Sequence, residues 1–170
     1  MDIAVRLGAA CVMTAASAWG GKMLAGAQAR RVETLQRTLA GVRRLNVEML
    51  ERRTPVKEAL LACGEAVFEE TAGQMEGGAP PGAAYARAEE RLRERGGALD
   101  SLEEGDMAAF RRLFDGLGEG GVEAQRLVLN EAAEELERLA GQARKKKEEH
   151  VKLYASLGAL SGLALALLLL

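Results

Sequence analysis

The chain has 170 residues, of which 28% are charged and 4% aromatic, with a formal net charge of −2. That length suits one modest domain with apolar anchors and is too short for two independent cores. No bulk basic field is present to hold nucleic acid. A single Ile, few Thr and abundant Ala, Leu, Glu and Arg favour helices over pleated sheets, so an all-α fold is expected.

The N-terminal stretch Leu7 to Gly21 carries no charge and is bounded by Arg6 and Lys22. With both cations snorkelling, residues 3–24 are long enough to cross a bilayer as a helix. Ala16-Ser17-Ala18 also fits the cleavage site of a secretory signal. Charge placement favours a retained anchor. Lys22, Arg30, Arg31, Arg37, Arg43 and Arg44 follow this segment, and Arg138, Arg144, Lys145, Lys146, Lys147 and Lys152 precede the second apolar one. Such a bias places the middle region in the cytoplasm with both termini facing out. The rival arrangement, an exported domain behind a cleaved signal, would carry those cations across the membrane.

From Val32 the apolar residues Leu35, Leu39, Val42, Leu45 and Met49 recur every three or four positions, the mark of an amphipathic helix ending near Arg53. Thr54-Pro55 reads as the next start, with Thr54 as N-cap and Pro55 at the first helical position. Val56, Leu60, Cys63 and Val67 then form one stripe of a third helix, which makes Cys63 a small core residue rather than a nucleophile. Cys11 is too distant in sequence to complete a disulfide framework or metal set with it.

Gly77-Gly78-Ala79-Pro80-Pro81-Gly82 breaks the middle region in two. A short helix is expected over Ala84 to Arg95, and a further one through Met107, Phe110, Leu113, Phe114 and Leu117, capped by Asp106. The glycines from Gly116 to Gly121 close it as a helix connection; no strand and no Walker lysine accompany them. The last amphipathic helix begins near Val122 and is expected to run on into the C-terminal segment, joining the domain rigidly to its anchor. The predicted organisation is therefore a span at 3–24, a cytoplasmic bundle of about five to six helices at 30–152, and a span at 153–170.

Leu153 to Leu170 contains nine leucines and no charge. At about 1.5 Å per residue it covers roughly 27 Å as a helix, close to the hydrocarbon thickness of a bilayer. Trp19 and Tyr154 sit just membrane-side of Lys22 and Lys152, where interfacial aromatics belong. Gly158 and Gly162, like Ala16 and Gly20, provide small-xxx-small spacing for packing against another span or another copy of the chain. The juxtamembrane cations Arg144, Lys145, Lys146, Lys147 and Lys152 could fix topology or bind anionic lipid.

No convergent catalytic, cofactor or metal-ligating set is found. The only histidine, His150, lies among Lys147, Glu148, Glu149 and Lys152 on a solvated stretch. The doublets Glu69-Glu70, Glu89-Glu90 and Glu134-Glu135 read as solvated i,i+4 partners on helices rather than a paired acid and base.

Glu48 followed by Thr54-Pro55-Val56-x-Glu58-Ala59, then Leu117-Gly118 with Gln125, then Tyr154-x-Ser156-Leu157-Gly158-x-Leu160-x-Gly162, resembles the stage III sporulation protein AB family in motif order over nearly the whole chain. Val56 stands where Leu is usual, and Gly121 stands where the family has Asp, so no capping role transfers to that position. The loop at 73–82 is also richer in glycine than the family pattern. The resemblance implies a membrane protein of the mother cell, around the forespore, similar to the F-type platform protein of type II secretion. It implies as partners a cytosolic secretion-type ATPase, stage III sporulation protein AA, and the other stage III sporulation channel proteins. A helical protein organising lipid through its basic juxtamembrane helix is the rival reading.

Overall fold

In the computed structural model the backbone is described for residues 26–94 and 96–169, and side chains are described throughout except at 151, 154, 155 and 157–169. Every regular element among these residues is helical. Six helices follow in order: α1 (26–46), α2 (Val56–Cys63), α3 (Ala66–Gly73), α4 (Pro81–Arg93), α5 (Glu104–Gly116) and α6 (Val122–Leu169). The chain divides into two compact units, one over Arg31–Gly141 and one comprising Met1–Arg30 with Gln142–Leu170.

In the Arg31–Gly141 unit, the periodic apolar residues supply the core. Val32, Leu35, Leu39, Val42 and Leu45 of α1 are buried with Ala84, Tyr85, Ala88 and Leu92 of α4 and Met107, Phe110, Leu113 and Phe114 of α5. From α6 come Leu129, Leu136 and Leu139. At its centre Tyr85 stacks on Phe114 with ring centroids 4.5 Å apart and an interplanar angle of 12°, while Phe68 tilts against the same Phe114 at 5.9 Å. With only three Phe in the chain, this aromatic cluster holds a large share of the buried ring surface.

Cross-helix bonds give the packing directions. Arg111 reaches Glu89 and Arg93 reaches Glu104, so α4 and α5 run antiparallel. Arg91 of α4 meets Glu70 of α3, and Arg87 of α4 donates to the Gln74 carbonyl just past α3. Arg43 with Glu137 and Asn46 with Asn130 set α1 antiparallel to the first part of α6. Close approach is permitted where glycine faces a bulky neighbour. A Cβ on Gly41 would lie 2.2 Å from a Phe68 ring carbon, so no larger residue fits between α1 and α3 without displacing that ring.

Four sequence expectations change. The stripe Val56, Leu60, Cys63, Val67 belongs to two helices, because Gly64 adopts φ +70° and ends α2 in a left-handed cap. The Gly64-Glu65 link then re-aims the chain, yet Leu60, Cys63 and Val67 are all still buried. Thr54 is not the N-cap of α2. The Pro55 carbonyl accepts the first helical bond from Ala59 N at 2.9 Å, which places the cap one residue later. Asp106 is not the cap of α5 either; it occupies the third helical position behind Glu103. The short helix begins earlier than Ala84, at Pro81, whose fixed φ and missing N–H suit a first turn.

In the other unit the described portion is residues 26–30 and the α6 segment 142–169, and α6 is one uninterrupted helix from Val122 to Leu169. Among the described residues no helix is long and apolar enough to cross a membrane. The expected span at 3–24, with Ala16, Trp19 and Gly20, lies outside the described residues. For the expected span at 153–170 the helical backbone is described to Leu169, and the side chains of Tyr154 and most of its other residues lie outside the description. Gly158 and Gly162 fall on that helical backbone.

Candidate functional site

The Glu48–Glu58 stretch is built on a backbone departure from the α-helix. At Val47–Glu51 α1 widens into a π turn, and the widened ladder closes with Arg52 N donating to Val47 O at 3.2 Å and Thr54 N to Glu48 O at 2.9 Å. The chain then turns through Arg53 at φ +56°, the one non-glycine residue with positive φ among the described residues. A left-handed arginine costs on the order of 1 kcal/mol. The Glu48 side chain offsets that cost. Buried to 7% exposure, its carboxylate accepts from Arg52 Nη1 at 2.8 Å and from the Thr54 hydroxyl at 3.3 Å. Glu48 and Thr54 are thus joined directly, Pro55 caps α2, and Glu58 stands exposed on the first turn of α2, where its charge suits the helix dipole.

A second knot lies at the Leu117-Gly118 connection. The half-turn from α5 to α6 uses Gly118 and Gly120 at φ +83° and +74°, leaving several backbone groups without helical partners. Gln125, at the start of α6, supplies them. Its carbonyl accepts from Gly118 N at 3.0 Å, and its amide donates to Gly116 O at 3.2 Å and to Glu119 O. One buried amide therefore serves three loop groups.

The third feature is a buried ion pair that sequence reading missed. Arg31, counted among the flanking cations, is only 3% exposed, and Asp106 is 0% exposed. They meet bidentately, Arg31 Nε to Oδ2 at 2.7 Å and Nη2 to Oδ1 at 2.9 Å, while Arg31 Nη1 also grips Glu103. Asp106 Oδ2 simultaneously accepts from Glu103 N at 2.9 Å, the N-terminal tie of α5. Burial alone would lower the Arg31 pKa, but the hydrogen bonds and charges of Asp106 and Glu103 outweigh it and raise it. A signal existed: Arg31 lies four residues before Leu35, on the apolar stripe of α1.

Other expected residues fall as follows. Cys63 is buried, its thiol donating to Ala59 O at 3.2 Å and Gly41 O at 3.4 Å. Burial pushes that thiol up to about 11, the opposite of an activated nucleophile. The glutamate doublets pair both across helices and within them. Glu89 takes Arg111 from α5 and Arg93 four residues on in its own helix, Glu70 takes Arg91 from α4, and Glu135 takes Arg112 from α5 as well as Arg138 on its own helix. Arg144, Lys145, Lys146 and Lys152 are exposed on α6, with Lys147 and His150 half-buried. Among the described residues no group of three His, Cys, Asp or Glu could hold a metal. The three clusters each tie one helix end to its neighbour through charge or amide bonds.

The model of the family described as stage III sporulation protein AB matches residues 6–170. A solved structure titled stage III sporulation protein AB is similar in fold, with a TM-score of 0.60 at 16% identity, covering 71% of this chain and 98% of that one. No curated protein matches the chain in sequence. A family match that runs through the bundle and both apolar ends identifies this chain as a member of the stage III sporulation protein AB family.

Proposed function

We propose that the chain is a non-enzymatic platform subunit of a sporulation secretion or channel complex. In this reading residues 3–24 and 153–170 anchor it in the mother-cell membrane around the forespore, with the helical bundle in the cytoplasm and both termini facing out. The bundle docks a cytosolic secretion-type ATPase, stage III sporulation protein AA, and couples it to the other channel proteins. The observation that carries the reading is the extent of the family match, residues 6–170, across the bundle and both apolar segments.

The bundle surface offers a docking chemistry consistent with it. Arg44 and Arg53 are exposed and hold no ion pair among the described residues, whereas Arg43 is already engaged by Glu137. These two cations at the end of α1 suit an acidic face on the ATPase. Crosslinking and pull-down of the intact chain from sporulating membranes is expected to recover the ATPase. Reversal of Arg44 and Arg53 to Glu should abolish recovery, while neutralising Lys145 to Lys147 should leave it intact. Recovery of no ATPase by the unaltered chain overturns the platform reading and leaves the lipid-organising alternative.

A further inference from the structure

Through Arg144–Lys147 α6 is continuous helix, so four consecutive cations are distributed around its axis rather than along one side. At about 100° per residue they project at four azimuths with no gap much wider than 100°. Arg144, Lys145 and Lys146 are exposed and Lys147 is half-buried. The seven residues from Arg144 to His150 include no apolar side chain, so two helical turns lack any greasy face. A helix lying flat on a bilayer needs such a face opposite its cations. This segment has none, and the geometry excludes that posture at this level.

Beyond it the character changes within two residues. Lys152 is the last charge, and Leu153 to Leu170 is uncharged. The centre of the cation group lies about 10 Å before Leu153 along the axis, and the headgroup layer of one leaflet is roughly 5–8 Å deep. Lysine and arginine stems are long enough to bridge the remaining distance. Over 144–152 five cations face two carboxylates, Glu148 and Glu149, so the ring keeps a positive balance.

We propose that Arg144, Lys145, Lys146 and Lys147 form a collar around α6 that binds the anionic headgroups of one leaflet, with the helix standing upright through them. The proposal rests on the membrane placement of Leu153 to Leu170 in the reading above. Its ligand chemistry is a lipid phosphate, and its distinguishing property is that no single azimuth dominates.

The test uses the full chain reconstituted in phosphatidylcholine vesicles, with spin-labelled phosphatidylglycerol or spin-labelled phosphatidylcholine reporting lipids immobilised against the protein. The expected result is preferential immobilisation of the anionic label. Each of Arg144→Gln, Lys145→Gln, Lys146→Gln and Lys147→Gln should reduce that preference by a comparable step of up to about fivefold, and the quadruple variant should abolish it. A preference untouched by the quadruple variant overturns the collar. So does one carried wholly by a single position, which would mark a one-sided contact. Loss of the preference on adding inorganic phosphate at constant ionic strength would mean a soluble anion is the ligand, and also overturns it. Incorporation without anionic preference removes the collar alone; failure to incorporate into vesicles removes the membrane reading together with the collar.

Discussion

Two arginines in the bundle each hold a pair of carboxylates, and they differ in how much water they see. Arg31 binds Asp106 and Glu103 with its side chain 4% exposed and Asp106 at 0%. Arg111 binds Glu89 and Glu104 with its own side chain 42% exposed and Glu104 at 64%. The surface group is a network, since Arg93 approaches both Glu89 and Glu104 at 3.6 Å. Similar chemistry does different work in the two places. At the surface, water and salt weaken each attraction and either partner can be solvated if the other is lost. In the interior neither partner can be removed alone, because the survivor would be a buried, unpaired charge. The inner pair therefore specifies how α1 meets α5, whereas the outer network adds modestly to a contact between α4 and α5 that Tyr85 and Phe110 already make.

The largest effect should come from breaking the inner pair from one side. Arg31→Met strands Asp106 and is expected to cost about 3–5 kcal/mol, read by denaturant titration of the detergent-solubilised chain. Adding Asp106→Asn to that variant removes the stranded charge while keeping an oxygen for Glu103 N, and should recover about 1–3 kcal/mol. A double variant no better than the single would show that the arginine acts through packing alone. At the surface, Arg111→Ala should lower the melting temperature by no more than a few degrees, and the difference from the unaltered chain should shrink in molar salt. An equally large, salt-insensitive loss would erase the contrast between the two sites.

The smallest effect is a pH dependence. The hydrogen bond from Arg111, with Arg93 alongside, holds Glu89 below its ordinary value of 4.5. A carboxylate with a depressed folded pKa contributes stability that is fully present above its unfolded value and lost as pH falls through the folded one. The stability difference between the unaltered chain and Glu89→Gln should therefore be constant above about pH 5 and narrow below about 4.5. Glu135, held down by its hydrogen bonds from Arg138, should behave in the same direction.

Sequence periodicity captured the helical class and most of the core because burial of α1, α4 and α5 follows a repeat that each helix carries alone. Val32, Leu35, Leu39, Val42 and Leu45 are buried as their spacing requires. What periodicity missed depends on a second helix or on one dihedral angle. The stripe from Val56 to Val67 is divided because Gly64 turns left-handed, and a glycine inside an apolar repeat does not announce its φ. Glu89 looks like a partner for Arg93 on its own helix, which it meets at 3.6 Å, and the tertiary arrangement supplies a closer one in Arg111. Glu48 and Thr54, six residues apart, were legible as a motif. Their direct bond needed the π turn, which lengthens the ladder by one residue and which no composition signal marks. The same logic hid Arg31, whose place on the apolar stripe becomes meaningful only opposite Asp106.

The double duty of Asp106 has a dynamic consequence. Its carboxylate ties the first turn of α5 to Glu103 N while receiving Arg31, a contact 75 residues distant in the chain. Whenever α1 lifts away, Asp106 loses its counter-ion in the same event, and the tie at the head of α5 is left beside an uncompensated charge. Fraying of that first turn is thereby linked to opening of α1. In native-state hydrogen exchange the Asp106 and Met107 amides, which donate to Glu103 O at 2.9 and 3.2 Å, should lose protection together with the amides of α1. The head of a helix in the second half of the bundle would then report the opening of the first.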